Sequence, residues 1–211
     1  MSIGNSISIL ICILFLCGCS ASYKHLTTIE EKSPTNFQEY ILSEYKTKAT
    51  FEAIKMHDWN SAKLYSEKAL KSLDTDEIYP EELSYWKIPE KNLDEITTAR
   101  ENLMTIYNDA KIKDPFNLAK AISSLDCWSE QQEENWQAWD INRCKEDFLN
   151  SMHKIFENIS AKDENKIVIN KNNSRLNDAS NDEVTIVTNN KTKHLIQIIY
   201  FDFDEFNLST V

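Results

Sequence analysis

Phe37-Gln-Glu-Tyr-Ile41-Leu-Ser-Glu-Tyr45-Lys-Thr-Lys-Ala49-Thr-Phe-Glu-Ala53-Ile-Lys-Met56-His-Asp58-Trp59 is the stretch that sets the fold class. Phe37, Ile41, Tyr45, Ala49, Ala53 and Met56 recur every three or four residues with Lys and Glu between them, which is one apolar stripe on an amphipathic helix. His57-Asp58 turns the chain. A second stripe, Trp59, Ala62, Tyr65, Ala69 and Leu70, follows with Asp58 placed as N-cap, and the pair reads as an antiparallel helical hairpin. Further along, Leu93, Ile96, Ala99, Leu103, Ile106 and Ala110 make a third helix. Asp114-Pro115 supplies a cap and a first-turn proline for a fourth, which uses Leu118, Ile122 and Leu125. A fifth is predicted to start at Asp140 as cap and to bury Ile141, Cys144, Phe148, Met152, Ile155 and Ile159. Between the second and third, Leu73 to Pro89 is irregular and acidic; its apolar pair Tyr85-Trp86 is expected to fold back onto the hairpin.

Composition agrees with a mainly α fold. The 211 residues carry 34 acidic and 23 basic side chains, a net charge of −11. That suits one domain with extras or two small ones, and it argues against nucleic acid as a partner. Both glycines, Gly4 and Gly18, lie near the N-terminus. No phosphate-cradling loop or dinucleotide fingerprint can be written without glycine, and sandwiches rich in tight hairpins lean on it too. No cofactor is expected.

The N-terminus points to a compartment. Ile7 to Cys17 is an uncharged apolar run of eleven residues, too short to span a bilayer but right for a secretory signal. Met1 to Ser6 carries no Lys or Arg. Leu16-Cys17-Gly18-Cys19-Ser20 resembles the bacterial lipobox, which makes residues 1–18 a lipoprotein signal peptide and Cys19 the lipidated residue; the plainer alternative is one more apolar residue in a signal. By the same resemblance, the absence of Asp after Cys19 favours the outer membrane, with the protein facing the periplasm. Each buried acyl methylene contributes ~0.8 kcal/mol, so several chains on one cysteine hold essentially permanently.

Two cysteines then remain, Cys127 and Cys144. An even pair in an oxidising compartment suggests a disulfide, the alternative being two buried free thiols. In one uninterrupted helix their separation would be ~25 Å, so a bridge requires the chain to reverse, and Gln131 to Asp140 is the place for it. Metal binding is not expected: His25, His57, His153 and His194 stand singly, and the mature chain has no HExxH or CxxC.

Domain organisation follows composition. Residues 19–35 read as a polar tether ending in Ser33-Pro34-Thr35, residues 36–160 as the helical domain, and residues 161–193, with eight asparagines and no aromatic, as a flexible linker. Ala53 to Leu70 is similar to one tetratricopeptide unit; a solenoid needs about three copies, so a single repeat-like hairpin in a small helical domain is the expectation. Residues 194–211 change character. His194-Leu-Ile-Gln-Ile-Ile-Tyr-Phe-Asp-Phe-Asp204 reads as a strand buried on both faces, and Phe206 to Ser209 as entry to a helix.

Ile199-Tyr-Phe-Asp-Phe-Asp204 with Asn207-Leu208-Ser209 resembles the opening of the OmpA-like C-terminal domain. The run Asp126-Cys-Trp-Ser-Glu-Gln-Gln-Glu-Glu-Asn135, with Arg143-Cys144 and Phe148, is similar to the N-terminal region of alphaproteobacterial OmpA-family lipoproteins. In that family the C-terminal domain grips peptidoglycan through an aspartate and an arginine on later helices. Those positions fall on no residue of this sequence, so residues 194–211 are expected to be an incomplete domain that does not bind peptidoglycan.

Candidate chemistry is sparse. Glu133 with Glu134, or Asp202 with Asp204, could serve as carboxylate pairs for hydrolysis, but the first lies on a polar stretch and the second in the structural motif, so no enzyme is expected. Trp128, Trp136 and Trp139 either stack on a sugar or, more plainly, cap the hairpin beside the cysteines. Two functions remain: an outer-membrane-anchored envelope lipoprotein derived from a peptidoglycan tether and lacking its glycan-binding part, or a periplasmic module that binds another envelope protein.

Overall fold

The computed structural model describes the backbone of residues 18–174 and the side chains of residues 21–160. The chain divides into units ending at Ile169 and beginning at Asn170, and all described side chains belong to the first. Six α-helices build it: α1 (Gly18–Thr27), α2 (Phe37–Phe51), α3 (Trp59–Lys71), α4 (Glu90–Lys113), α5 (Pro115–Glu134) and α6 (Ala138–Ser174). A π-helical turn, Glu52–Met56, extends α2, and a 3-10 turn, Leu83–Tyr85, interrupts the crossing from α3 to α4. The described residues hold no strand, so the fold class is mainly helical. The expected strand of residues 194–211 lies outside the described residues.

The hairpin forms for the reasons its sequence gives. Phe37, Ile41, Tyr45, Ala49 and Ala53 are buried, and so are Ala62, Tyr65 and Ala69 of α3. Trp59 stays substantially exposed and packs edge-on against Tyr23 of α1. His57 takes the left-handed conformation (φ 57°) and its N–H closes the π turn on the Glu52 carbonyl. Asp58 then caps α3, its Oδ1 accepting from the N–H groups of Asn60 at 2.8 Å and Ser61 at 3.0 Å. With no glycine after Gly18, the described residues use His57 and, at φ 51°, Asn135 for left-handed turns; Asn and His tolerate this conformation better than most residues.

Asp114 caps α5 and Pro115 opens it, and Asn158 of α6 donates to the same Asp114 carboxylate at 2.6 Å. Together with the Cys127/Cys144 and Trp128/Phe148 neighbours, this lays α6 antiparallel along α5. α5 also packs against α2 and α4, and its residues from Asn117 to Gln132 are buried almost all round. It is the central helix. A core helix surrounded by neighbours needs no polar face, which is why its narrow expected stripe understated its burial.

Three expectations need correction. The tether does not begin at Cys19, because Gly18–Thr27 is helical and packs on α3, with Tyr23 against Trp59 and Leu26 fully buried. The last helix starts at Ala138, placing Asp140 inside its first turn rather than at the cap; there it is fully buried and ion-paired with Arg143 at 2.5 Å. Finally, α6 continues to Ser174, into the expected linker, while residues 175–193 lie outside the described set.

Candidate functional site

Chain reversal at residues 135–137 brings Cys127 and Cys144 together, their Cα atoms 5.6 Å apart and their sulfurs at bonding distance. Asn135 makes the turn possible by ending α5 in the left-handed region, its N–H bonded to the Gln131 carbonyl. Of the three tryptophans expected beside the cysteines, only Trp128 packs there, buried against Phe148 with the Lys145 ammonium over its ring. Trp136 and Trp139 remain 74% and 60% exposed, so they do not cap the hairpin as a buried cluster. Arg143 is held between the rings of Trp139 and Phe51. The side chain of Cys19, and Asp202 with Asp204, fall outside the described side chains.

The most unusual chemistry lies where α2, α3 and α5 meet. Asp126 is only 1% exposed, and its Oδ2 accepts from the Tyr45 hydroxyl and the Lys68 ammonium, both at 2.6 Å, while Oδ1 accepts from the Glu81 N–H at 2.7 Å. Lys68 donates further to the Tyr79 carbonyl at 2.8 Å and pairs with the Glu81 carboxylate at 3.0 Å. This network fastens the irregular crossing onto the helices. One turn along α5, Glu130 accepts a hydrogen bond from the Tyr65 hydroxyl through Oε2, while Oε1 meets no partner with hydrogen-bond geometry.

These carboxyls are not equivalent. Asp126 has a cation and two neutral donors, whereas Glu130 is 3% exposed without a cation bonded to it. Burial pushes its carboxyl up to about 7, the Ser61 and Tyr65 hydroxyls opposing and the Glu134 and Asp58 carboxylates assisting. Glu52, 6% exposed in the π turn, is pushed up to about 8 by burial and then by Glu130, Asp58, Glu134 and Asp140. Glu134 is raised in the same direction, again chiefly by burial. An acid whose folded pKa exceeds its unfolded one stabilises the fold fully below the unfolded value and loses that contribution as pH rises through the folded value. Thermal unfolding is therefore expected at a higher temperature at pH 5 than at pH 8, and Glu52→Gln should flatten the difference. A midpoint that rises from pH 5 to pH 8, or an unchanged slope in the variant, would contradict the assignment.

Beside Glu130 opens a cleft of about 220 Å³. Asp58 and Ser61 of α3, Tyr85 and Trp86 of the crossing, and Glu130 and Glu133 of α5 line it. Glu133 accepts the Lys87 N–H at 3.1 Å and so ties down the crossing, while Glu134, more exposed at the end of α5, lines the same cleft. Among the described residues no group of three or more His, Cys, Asp or Glu is placed to hold a metal ion, and no helix is long and apolar enough to cross a membrane. The sequence reading missed Lys68, Asp126, Glu130 and Glu52 as a group. A signal was present: the row Leu118, Ile122 continues at four-residue spacing onto Asp126 and Glu130, which puts two carboxylates on a helix face that is otherwise apolar.

Compared with family models, curated proteins and solved structures, the chain matches none.

Proposed function

We propose that the chain is an outer-membrane-anchored envelope lipoprotein, held by acyl chains on Cys19 and related to the peptidoglycan-tethering OmpA-family lipoproteins. The observation that supports it best is the placement of Cys127 and Cys144, on separate helices yet at bonding distance, an arrangement suited to an oxidising compartment. The hairpin α2–α3 is read as a single tetratricopeptide-like unit, and residues 194–211 as the first strand of an OmpA-like domain. Because α1 begins at Gly18 and docks on α3, an anchor on Cys19 would hold the helical unit close to the bilayer surface.

Labelled palmitate tests the anchor. It is expected to enter the wild-type chain and not Cys19→Ala, which should accumulate as uncleaved precursor or leave the membrane fraction. Wild type that takes up no label would defeat the reading. A second reading, a protein-binding module of the periplasm, is favoured by the exposed Trp136 and Trp139 beside Arg143, since aromatic and arginine side chains dominate binding hot spots. Loss of a stoichiometric envelope partner in the Trp136→Ala/Trp139→Ala variant would establish it.

A further inference from the structure

The cleft beside Glu130 carries two unpaired buried polar atoms of opposite kind. Glu130 Oε1 has no donor at hydrogen-bond geometry, the Ser61 hydroxyl being close enough only to lower the carboxyl's pKa, and the indole Nε1 of the buried Trp86 is a donor without an acceptor. Buried polar groups left unpaired are few in folded proteins, and both of these belong to residues lining one small cleft. The charge of the site selects the ligand's sign. A helix N-terminus such as that of α3 ordinarily draws anions, but Asp58 already occupies its Asn60 and Ser61 N–H groups, and Glu133 adds a second carboxylate. Among the described residues no three His, Cys, Asp or Glu converge on a metal position, whereas an organic cation needs only one carboxylate oxygen and an aromatic wall.

We propose that this cleft binds a primary ammonium group bearing an oxygen acceptor within a few bonds, the ammonium on Glu130 Oε1 and the oxygen on the Trp86 indole N–H. Tyr85, stacked edge-on against Trp86, supplies a ring for the cation. The chemistry is common to a peptide N-terminus, where a carbonyl follows the ammonium, and to a free amino alcohol. The proposal is independent of how the chain is anchored. Glu130 near 7 binds either a proton or the ammonium, so affinity rises from pH 6 to about pH 7.5, above which an α-amino ligand, but not ethanolamine, begins to lose its charge. The charged and titratable groups set around it are Lys48 and Glu52 from α2 and its π turn, Asp58 and Tyr65 from the start and middle of α3, Tyr85 from the crossing, and Glu133 and Glu134 from α5.

Glycinamide and ethanolamine are the probes, titrated into the full mature protein at pH 7.5 by calorimetry and by the nitrogen-15 shift of the Trp86 indole. Acetamide, ethylene glycol and sodium chloride at matched ionic strength are the controls. At least one probe is expected to saturate and to move the Trp86 resonance, and the controls to do neither. Glu130→Gln should weaken binding by roughly tenfold or more, as loss of a charge-assisted hydrogen bond implies. Trp86→Phe, which keeps the ring and removes the donor, should weaken it severalfold, so the test does not depend on one variant folding. Tighter glycinamide identifies a peptide N-terminus, and tighter ethanolamine an amino alcohol. No saturation by either probe, an equal response to salt, or binding undiminished in both variants overturns the proposal.

Discussion

Breaking the Cys127–Cys144 bridge is expected to lower the unfolding midpoint of the helical unit by roughly 6–12 °C. The two residues are 17 apart in sequence, and closing a loop of that length stabilises by ~3 kcal/mol in the chain-entropy account. For a unit of this size each kcal/mol shifts the midpoint by about 2–4 °C. The bridge also ties α6, which otherwise holds α5 through Phe148 on Trp128 and Asn158 on Asp114, to the central helix. The check is a pair of thermal melts on protein from an oxidising compartment, with and without dithiothreitol, beside Cys127→Ala/Cys144→Ala. Reduction and the double substitution should give the same drop. Both thiols alkylated without prior reduction, with no change in midpoint, would falsify the bridge.

The second large effect is at Asp126. Asp126→Ala is expected to destabilise by about 3–5 kcal/mol, the range for removing one partner of a buried ion pair. It strands three donors at once: the Tyr45 hydroxyl, the Glu81 N–H and one proton of the Lys68 ammonium. Lys68→Met should cost less, since Asp126 keeps its two neutral donors and the methionine chain fills the lysine stem's place. Chemical denaturation of the wild type and the two variants orders them. A Lys68→Met protein less stable than Asp126→Ala would show that the ammonium, not the carboxylate, organises the junction. The crossing should loosen in both, and limited proteolysis between Leu73 and Pro89 reports it.

Much of the architecture was legible because local rules and tertiary demands agree along most of the chain. The stripes of α2, α3 and α4 predict faces that are in fact buried at Ile41, Tyr45, Ala62, Tyr65, Ile96 and Leu103. Asp58 and Asp114 cap where their positions before apolar runs say they should. The reversal between Cys127 and Cys144 followed from helix length once a bridge was expected, and it falls at residues 135–137. α1 was not legible, because Tyr23 and Leu26 in a short polar segment make no periodic stripe, and its docking depends on the surface that α3 offers. The candidate cleft was equally hidden. Its residues come from three separate segments, and no spacing in a sequence records that Asp58, Trp86 and Glu130 converge.

The sequence by itself determined that this chain is mainly helical, where Asp58 and Asp114 cap their helices, and that any bridge between Cys127 and Cys144 requires a reversal. Those properties are set by interactions reaching at most a turn or two along the chain: side-chain periodicity, caps, proline, and the absence of glycine. Only the tertiary structure decided which helix lies at the centre. Periodicity reports that one face of a helix is apolar, but not how many neighbours will cover the others, and α5 becomes central because α2, α4 and α6 all pack on it. That placement draws Lys68 and Asp126 inside as a bonded pair, leaves Glu130 buried without a cation bonded to it, and turns Trp136 and Trp139 outward. A charge's cost depends on the solvent around it and the partner beside it, and both are supplied by residues distant in sequence.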